Sequence, residues 1–192
     1  MNDQIRIALI LGSAREGRFC DTVAGWTQAQ IDKRPEFTVD LIDPAELKLA
    51  SSHGGTEKEV QQDLKHRLEA ADAFVVVTPE YNHGYPAALK ALIDSAYSEW
   101  QAKPVAFVSY GGISGGLRAV EQLRQVFAEL HAVTVRDGVS FAHPWNSFSP
   151  DGQPLEPGAP ALAADVMLTR LKWWALALRA ARQHSPYGKV AA

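Results

Sequence analysis

The chain has 192 residues and a formal net charge of -3, enough for one domain with a well-formed core and short for two. Its 46% hydrophobic and 21% charged residues are those of an ordinary globular chain, and the mild charge gives no electrostatic basis for nucleic acid or an anionic membrane as a partner. A single cysteine, Cys20, excludes an intrachain disulfide and fits a reducing compartment.

The N-terminal Met1-Asn2-Asp3-Gln4 lacks the basic-then-apolar plan of a signal peptide, and no apolar run approaches the roughly 20 residues of a membrane span. A cytoplasmic location is the resulting expectation. Ile5 to Leu11 is the first predicted strand, and Phe37 to Ile42, half alternating, is an edge strand. Ala73 to Thr78 is apolar almost throughout, as a strand covered on both faces should be. Val105 to Ser109 and Ala132 to Val135 complete five strands. Helical patterns fall near residues 19–33, 57–71, 85–99 and 115–130, the third with Leu89, Leu92, Ile93, Ala96 and Trp100 on one stripe. Alternating strands and helices predict an α/β fold, a three-layer sandwich around a five-stranded parallel sheet in the flavodoxin-like order 2-1-3-4-5. Residues 143–160 form a proline-rich arm, and a last helix over about 161–182 carries Leu171, Trp174 and Leu178 on one face. That helix either caps the sheet or serves a subunit interface. Residues 1–192 are expected to form a single domain.

Three loops rich in glycine, serine and proline follow the first, third and fourth strands, where an open parallel sheet binds its ligands. In the first, Gly12 and Gly17 let amides converge, Ser13 offers a hydroxyl, and Arg15 and Arg18 offer charge. Arg18, Phe19 and Cys20 then open a helix, so the loop suits a phosphate dianion. The same residues also suit a tight turn with the arginines paired to Glu16 or Asp21. No G-x-G-x-x-G fingerprint and no P-loop lysine occurs there.

The second loop, Thr78 to Pro86, has two prolines and two aromatics able to flank a flat ring. Tyr81 would pack on the ring and Asn82 would reach its polar edge; alternatively Tyr81 fills core space and Asn82 caps the next helix. His83 has no partner visible in the sequence. The third loop, Tyr110 to Gly116, allows close approach of backbone to a ring. It also contains Gly112-Ile113-Ser114-Gly115-Gly116, a G-x-S-x-G match with Asp137 and His143 following in hydrolase order. A nucleophile-elbow serine sits directly at a strand end, whereas Tyr110 to Ile113 separate Ser114 from the expected strand end at Ser109. A phosphate loop and two ring-flanking loops together point to a mononucleotide, flavin mononucleotide (FMN).

Pro79-Glu80-Tyr81-Asn82 followed by Gly84-Tyr85-Pro86-Ala87-Ala88-Leu89-Lys90, together with Gly111-Gly112 and Gly115 to Ala119, resembles the NADPH-dependent FMN reductase family of quinone, chromate and azo-dye reductases. The resemblance covers residues 5 to about 140. It implies that Ser13 and Arg15 hold the FMN phosphate, helped by the amides of Arg18, Phe19 and Cys20. It implies further that Pro79, Glu80, Tyr81 and Asn82 contact the isoalloxazine, with Tyr110, Gly111 and Gly112 on its other side. Family members commonly have serine where Arg18 stands and asparagine where Cys20 stands. Cys20 is therefore either a small buried helix-start residue or a thiol near phosphate.

On this resemblance NADPH or NADH passes hydride to FMN, and a small-molecule electron acceptor (a quinone, metal ion or azo compound) takes the electrons. No catalytic side chain and no metal is expected, because the chemistry belongs to the cofactor. A homodimer or homotetramer is implied, with Trp100 and the final helix as apolar surface. The competing readings are a flavodoxin-type electron carrier or FMN-binding regulator with a protein partner, and a flavin-free interaction module.

Overall fold

Runs of apolar residues fix the centre of the sheet in the computed structural model, which describes residues 4–47, 49 and 57–190. Met1 to Asp3, expected to lead into the first strand, lie outside the described residues. β1 (Ile5–Leu11) and β3 (Ala73–Pro79) sit side by side with helices over both faces. Their side chains alternate between two cores, as strand geometry requires. Ile7, Leu9, Val75 and Val77 face α1 (Cys20–Asp32) and the C-terminal helix α6 (Gly158–His184). Ala8, Ile10, Phe74 and Val76 face α3 (Lys58–Ala70), α4 (Ala87–Asp94) and α5 (Leu117–Glu129). Burial on both faces is why these strands are apolar over Ile7–Leu11 and Ala73–Val77, with the exposed Arg6 near the start of β1 and the buried Thr78 near the end of β3 as the polar exceptions.

The sheet runs β2-β1-β3-β4-β5 with every pairing parallel, where β2 is Phe37–Ile42 and β4 is Pro104–Gly111. A short helix, α2 (Pro44–Leu47), follows β2. The expected order is thus present, and its switch point lies between β1 and β3. β4 extends two residues past the expected end at Ser109, so Tyr110 and Gly111 belong to the strand rather than the loop.

The fifth position differs from the expectation of one strand over Ala132 to Val135. β5 is only Val133–Thr134, paired to Pro104 and Val105. The chain then bulges and returns as β6 (Val139–Ala142), which pairs with Val108 to Gly111. Gly138 makes the return possible, because a Cβ there would lie 2.8 Å from the Phe107 carbonyl oxygen. The half-buried alternation of Val139 to Ala142 next to a proline-rich arm hid this strand from pattern reading.

α4 stops at Asp94, and Ser98–Trp100 form a separate 3-10 turn. All five residues of the predicted stripe are nevertheless buried. Trp100 is fully buried rather than an interface residue: it packs on Phe74 and Phe127, and its Nε1 donates to the Ile93 carbonyl at 3.1 Å. α6 begins at Gly158, before the expected start, because proline is tolerated in a helix's first turn, where Pro160 stands. Its buried residues Ala164, Met167, Leu168, Leu171 and Ala175 cap the sheet beside α1. No described helix is long and apolar enough to cross a membrane.

Candidate functional site

The first loop leaves β1 pressed against β3. The Gly12 N–H donates to the Val77 carbonyl at 2.7 Å, and a Cβ on Gly12 would lie 2.7 Å from that same oxygen. Glycine is therefore required by close approach. Ser13, 1% exposed, has its hydroxyl 2.8 Å from the Tyr81 hydroxyl, joining the first loop to the second. The Arg15 N–H reaches the Ser13 hydroxyl at 3.3 Å, while the exposed Arg15 guanidinium has no partner among the described residues.

Arg18 is committed elsewhere. Its guanidinium grips both carboxylate oxygens of Asp43, bonds Asp21 at 2.9 Å and donates to the Ser13 carbonyl. Hydrogen bonding to Asp43 raises the Arg18 pKa above its ordinary value despite partial burial. Burial would raise the Asp43 carboxyl, but Arg18 and the Ala45 N–H outweigh it and hold it below the usual range. Arg18 therefore ties the loop to the segment after β2, and its side chain is not a free phosphate ligand. The pairing with Asp21 is one that the tight-turn reading anticipated.

Phe19 is the N-cap residue of α1 and provides no side-chain cap, so the first-turn amides remain open to an anion. Cys20 lies beneath them with no exposed surface, its thiol 3.7 Å from the Val77 carbonyl. Burial pushes its pKa up, which makes it a neutral core residue. Tyr110, also buried, is displaced upward for the same reason.

The second loop is a two-residue turn. Tyr81 and Gly84 exchange backbone hydrogen bonds at 2.9 and 3.0 Å, and Asn82 and His83 have φ of 49° and 72°. Two successive positive φ values define a type I′ turn, where asparagine is well tolerated. The N-cap of α4 is Pro86, without a side-chain cap, so Asn82 serves the turn rather than that helix.

Glu80 fastens the second loop to the third. Its carboxylate, 7% exposed, accepts from the Ser114 hydroxyl at 2.6 Å, the Arg118 N–H at 3.1 Å and the Arg118 guanidinium at 3.0 Å. Burial would raise the Glu80 carboxyl, but these bonds outweigh it and lower its pKa. The Ser114 hydroxyl is thus a donor to a carboxylate, which leaves the G-x-S-x-G match without an elbow. Gly115 and Gly116 have φ of 60° and 87°, and the Ser109 and Ser140 hydroxyls both donate to the Gly115 carbonyl. The third loop is held from two sides before α5 begins.

Arg15, Arg18, Phe19, Tyr81 and Tyr110 meet around one cleft of ≈ 310 Å³, with Ser13 joined to it through Tyr81. Pro79 and Gly111 end β3 and β4, Asn82 stands in the two-residue turn, Gly112 follows β4 directly, and Cys20 is fully buried at the start of α1. Trp145, from the arm, lines the same cleft, and no pattern in the sequence had marked it. A larger cavity of ≈ 700 Å³ lies on the β6 edge between α5 and α6; its lining is mainly apolar, and its Ser140 hydroxyl is taken by Gly115.

An open parallel sheet with an anion-receptive loop at its switch point and two backbone loops beside it defines a mononucleotide-binding α/β protein. The sequence model of NADPH-dependent FMN reductase matches residues 5–146. The chain belongs to that family. An NAD(P)H-dependent FMN reductase of Schizosaccharomyces pombe is 37% identical over 130 residues, 63% of this chain and 64% of that protein. An NADPH:quinone oxidoreductase of Arabidopsis thaliana is 31% identical over 189 residues, 92% of this chain and 91% of that one. Among solved structures, the flavoenzyme NAD(P)H:(acceptor) oxidoreductase FerB of Paracoccus denitrificans shares the fold with a TM-score of 0.74 at 20% identity, covering 90% of this chain and 98% of its own.

Proposed function

We propose that this chain is an FMN-dependent NAD(P)H oxidoreductase that delivers electrons to a small acceptor, with quinones the favoured class. The observation that carries the reading is the donor set at the end of β1. An Arg15 guanidinium without a partner among the described residues, the Ser13 hydroxyl and the α1 amides without a side-chain cap are the donor types that a phosphate dianion requires. The quinone preference is supported by relatives described as quinone oxidoreductases and, in Burkholderia, as a 2-hydroxy-1,4-benzoquinone reductase.

In this reading Ser13, Arg15 and the amides of Phe19 and Cys20 bind the phosphate, and Arg18 positions the loop through Asp43. The hydroxyl contact to Ser13 supports a role for Tyr81 at the phosphate end of the cleft as well as beside the ring. The backbone of Pro79 to Asn82 and of Tyr110 to Gly112 flanks the ring, with Glu80 keeping the two loops in register. FMN held by these residues would supply the redox chemistry that links the nicotinamide donor to the acceptor. The chain binds, orients and excludes water, and no side chain is assigned acid or base work.

The same reading takes residues 1–192 as a single cytoplasmic domain that assembles as a homodimer or homotetramer. Exposed Leu162, Val166 and Trp173 on α6 support an apolar surface for assembly. The test is an absorption spectrum of the purified protein with FMN, before and after anaerobic NADPH or NADH. Flavin that stays with the protein and bleaches rapidly is expected. Bound flavin that neither nucleotide bleaches would turn the reading to an electron carrier or regulator, and absence of bound flavin would remove both.

A further inference from the structure

Trp145 stands out because it is large, apolar and 55% exposed on a backbone with little freedom. It lies in the 3-10 turn Pro144–Asn146, closed by hydrogen bonds from the Asn146 N–H to the His143 carbonyl and from the Ser147 N–H to the Pro144 carbonyl, both 3.0 Å. The His143 N–H donates to the Gly111 carbonyl at 2.8 Å, which fixes the start of the arm to the end of β4. His143 accepts a φ of 47° there, a conformation that non-glycine residues adopt only when their surroundings enforce it. Beyond the turn, Phe148 packs edge-on to Phe141 at 4.9 Å and to Phe19 at 5.6 Å. The arm is thus anchored to β4, to β6 and to Phe19, the N-cap residue of α1.

Three residues before that anchor, the Trp145 indole faces the cleft that Arg15, Gly17, Phe19, Tyr81 and Tyr110 also line. An indole on a fixed backbone, packed edge-on to the His143 ring at 5.7 Å, loses less conformational freedom on gaining a ligand than one on a free loop, which is what makes rigid aromatics effective contacts. We propose that Trp145 is a cofactor-retaining residue: its indole walls the phosphate-and-ribityl end of the FMN cleft and slows FMN release. The inference rests on the FMN reading given above. The apolar face meets the ribityl carbons, while Arg15 and the α1 amides take the phosphate. Tyr81, bonded to Ser13 through its hydroxyl, lines the same cleft.

The test titrates FMN into apo-protein by flavin fluorescence and measures FMN release by dilution, for the wild type, Trp145→Phe and Trp145→Ala. The half-exposed ring predicts apo melting temperatures within about 2 °C of one another. Trp145→Ala is expected to raise the FMN Kd about tenfold, mostly through faster release, and Trp145→Phe to stay within about threefold. An unchanged FMN Kd in Trp145→Ala, with the wild type binding FMN normally, overturns the inference and leaves the proposed function standing. An unchanged FMN Kd with a raised KM for NADPH also overturns it and moves Trp145 to the nucleotide substrate. A wild type that binds no FMN overturns both readings together.

Discussion

The Glu80 carboxylate and the Ser114 hydroxyl meet at 2.6 Å across 34 positions of chain, and this contact holds the loop after β3 against the loop after β4. Arg118 adds two further hydrogen bonds to the same carboxylate. The parallel pairing of β3 with β4 brings the strand ends together, and these side-chain bonds tie the loops beyond them to each other.

Ser114→Ala removes one of three bonds and leaves Glu80 paired. It is expected to lower unfolding free energy by about 1 kcal/mol and to leave reductase turnover within about twofold of wild type. Glu80→Ala strands Ser114 and Arg118 together and should destabilise by about 2–3 kcal/mol, with weaker FMN binding. Urea unfolding and FMN titration of the two variants check this. Loss of turnover in Ser114→Ala with FMN still bound would give that hydroxyl a chemical role after all.

The two arginines of the first loop separate into a binding residue and a structural one. Arg15→Ala should leave apo stability unchanged and weaken FMN binding by about tenfold to a hundredfold, as expected for one charged hydrogen-bonding group. Adding Ser13→Ala should bring the total loss to about 2–5 kcal/mol. Arg18→Ala instead strands Asp43, whose side chain is 11% exposed, and should destabilise the apo-protein by about 3 kcal/mol. Thermal melts and FMN titrations run on both single variants distinguish the roles; equal loss of apo stability in the two would contradict the assignment.

Much of this was legible before any coordinates. Strands β1 and β3 announce themselves because burial on both faces removes every polar residue from Leu9–Leu11 and Ala73–Val77. The loops are legible because Gly12, Gly17 and Gly116 must stand where the backbone crowds or turns left-handed. What stayed hidden depended on partners distant in sequence. Nothing near Arg18 reveals that Asp43 will claim its guanidinium, and nothing near Trp145 reveals that the arm folds back onto Phe19. Trp100 continued a helical stripe, yet α4 ends at Asp94 and a 3-10 turn delivers the indole to the core by another route.

Glycine positions give a stability contrast. A Cβ on Gly116 would lie 2.7 Å from the Ser109 Cβ and 2.8 Å from the Tyr110 nitrogen, at a φ of +87°. Gly116→Ala should therefore cost about 3 kcal/mol or more and disturb the third loop. Gly158, the first residue of α6, has nothing within 4 Å of the same position, and its φ is not left-handed. Gly158→Ala should be neutral or stabilising by up to about 1 kcal/mol. Denaturant midpoints of the pair decide it, and comparable losses would mean that crowding around Gly116 is not the controlling factor.

Lys103 makes the stability depend on alkaline pH. It is 3% exposed, and its Nζ donates to the Leu68 and Glu69 carbonyls at 2.9 and 2.8 Å, capping the end of α3. Burial pulls its pKa down to about 8, with Glu69 opposing the shift. In the unfolded chain the amine titrates near its ordinary 10.5, so between about pH 8 and 10.5 the unfolded state holds a proton that the folded state has released. Stability from this group therefore rises with pH across that window, by about 3 kcal/mol in full. Lys103→Met loses both carbonyl contacts and the titration together. The difference in unfolding free energy between wild type and Lys103→Met should accordingly shift toward wild type by about 3 kcal/mol between pH 7 and 10.5. Urea unfolding at intervals across that range measures it directly. A difference that stays flat with pH would mean that Lys103 keeps its proton in the folded protein, held there by the two carbonyls and Glu69.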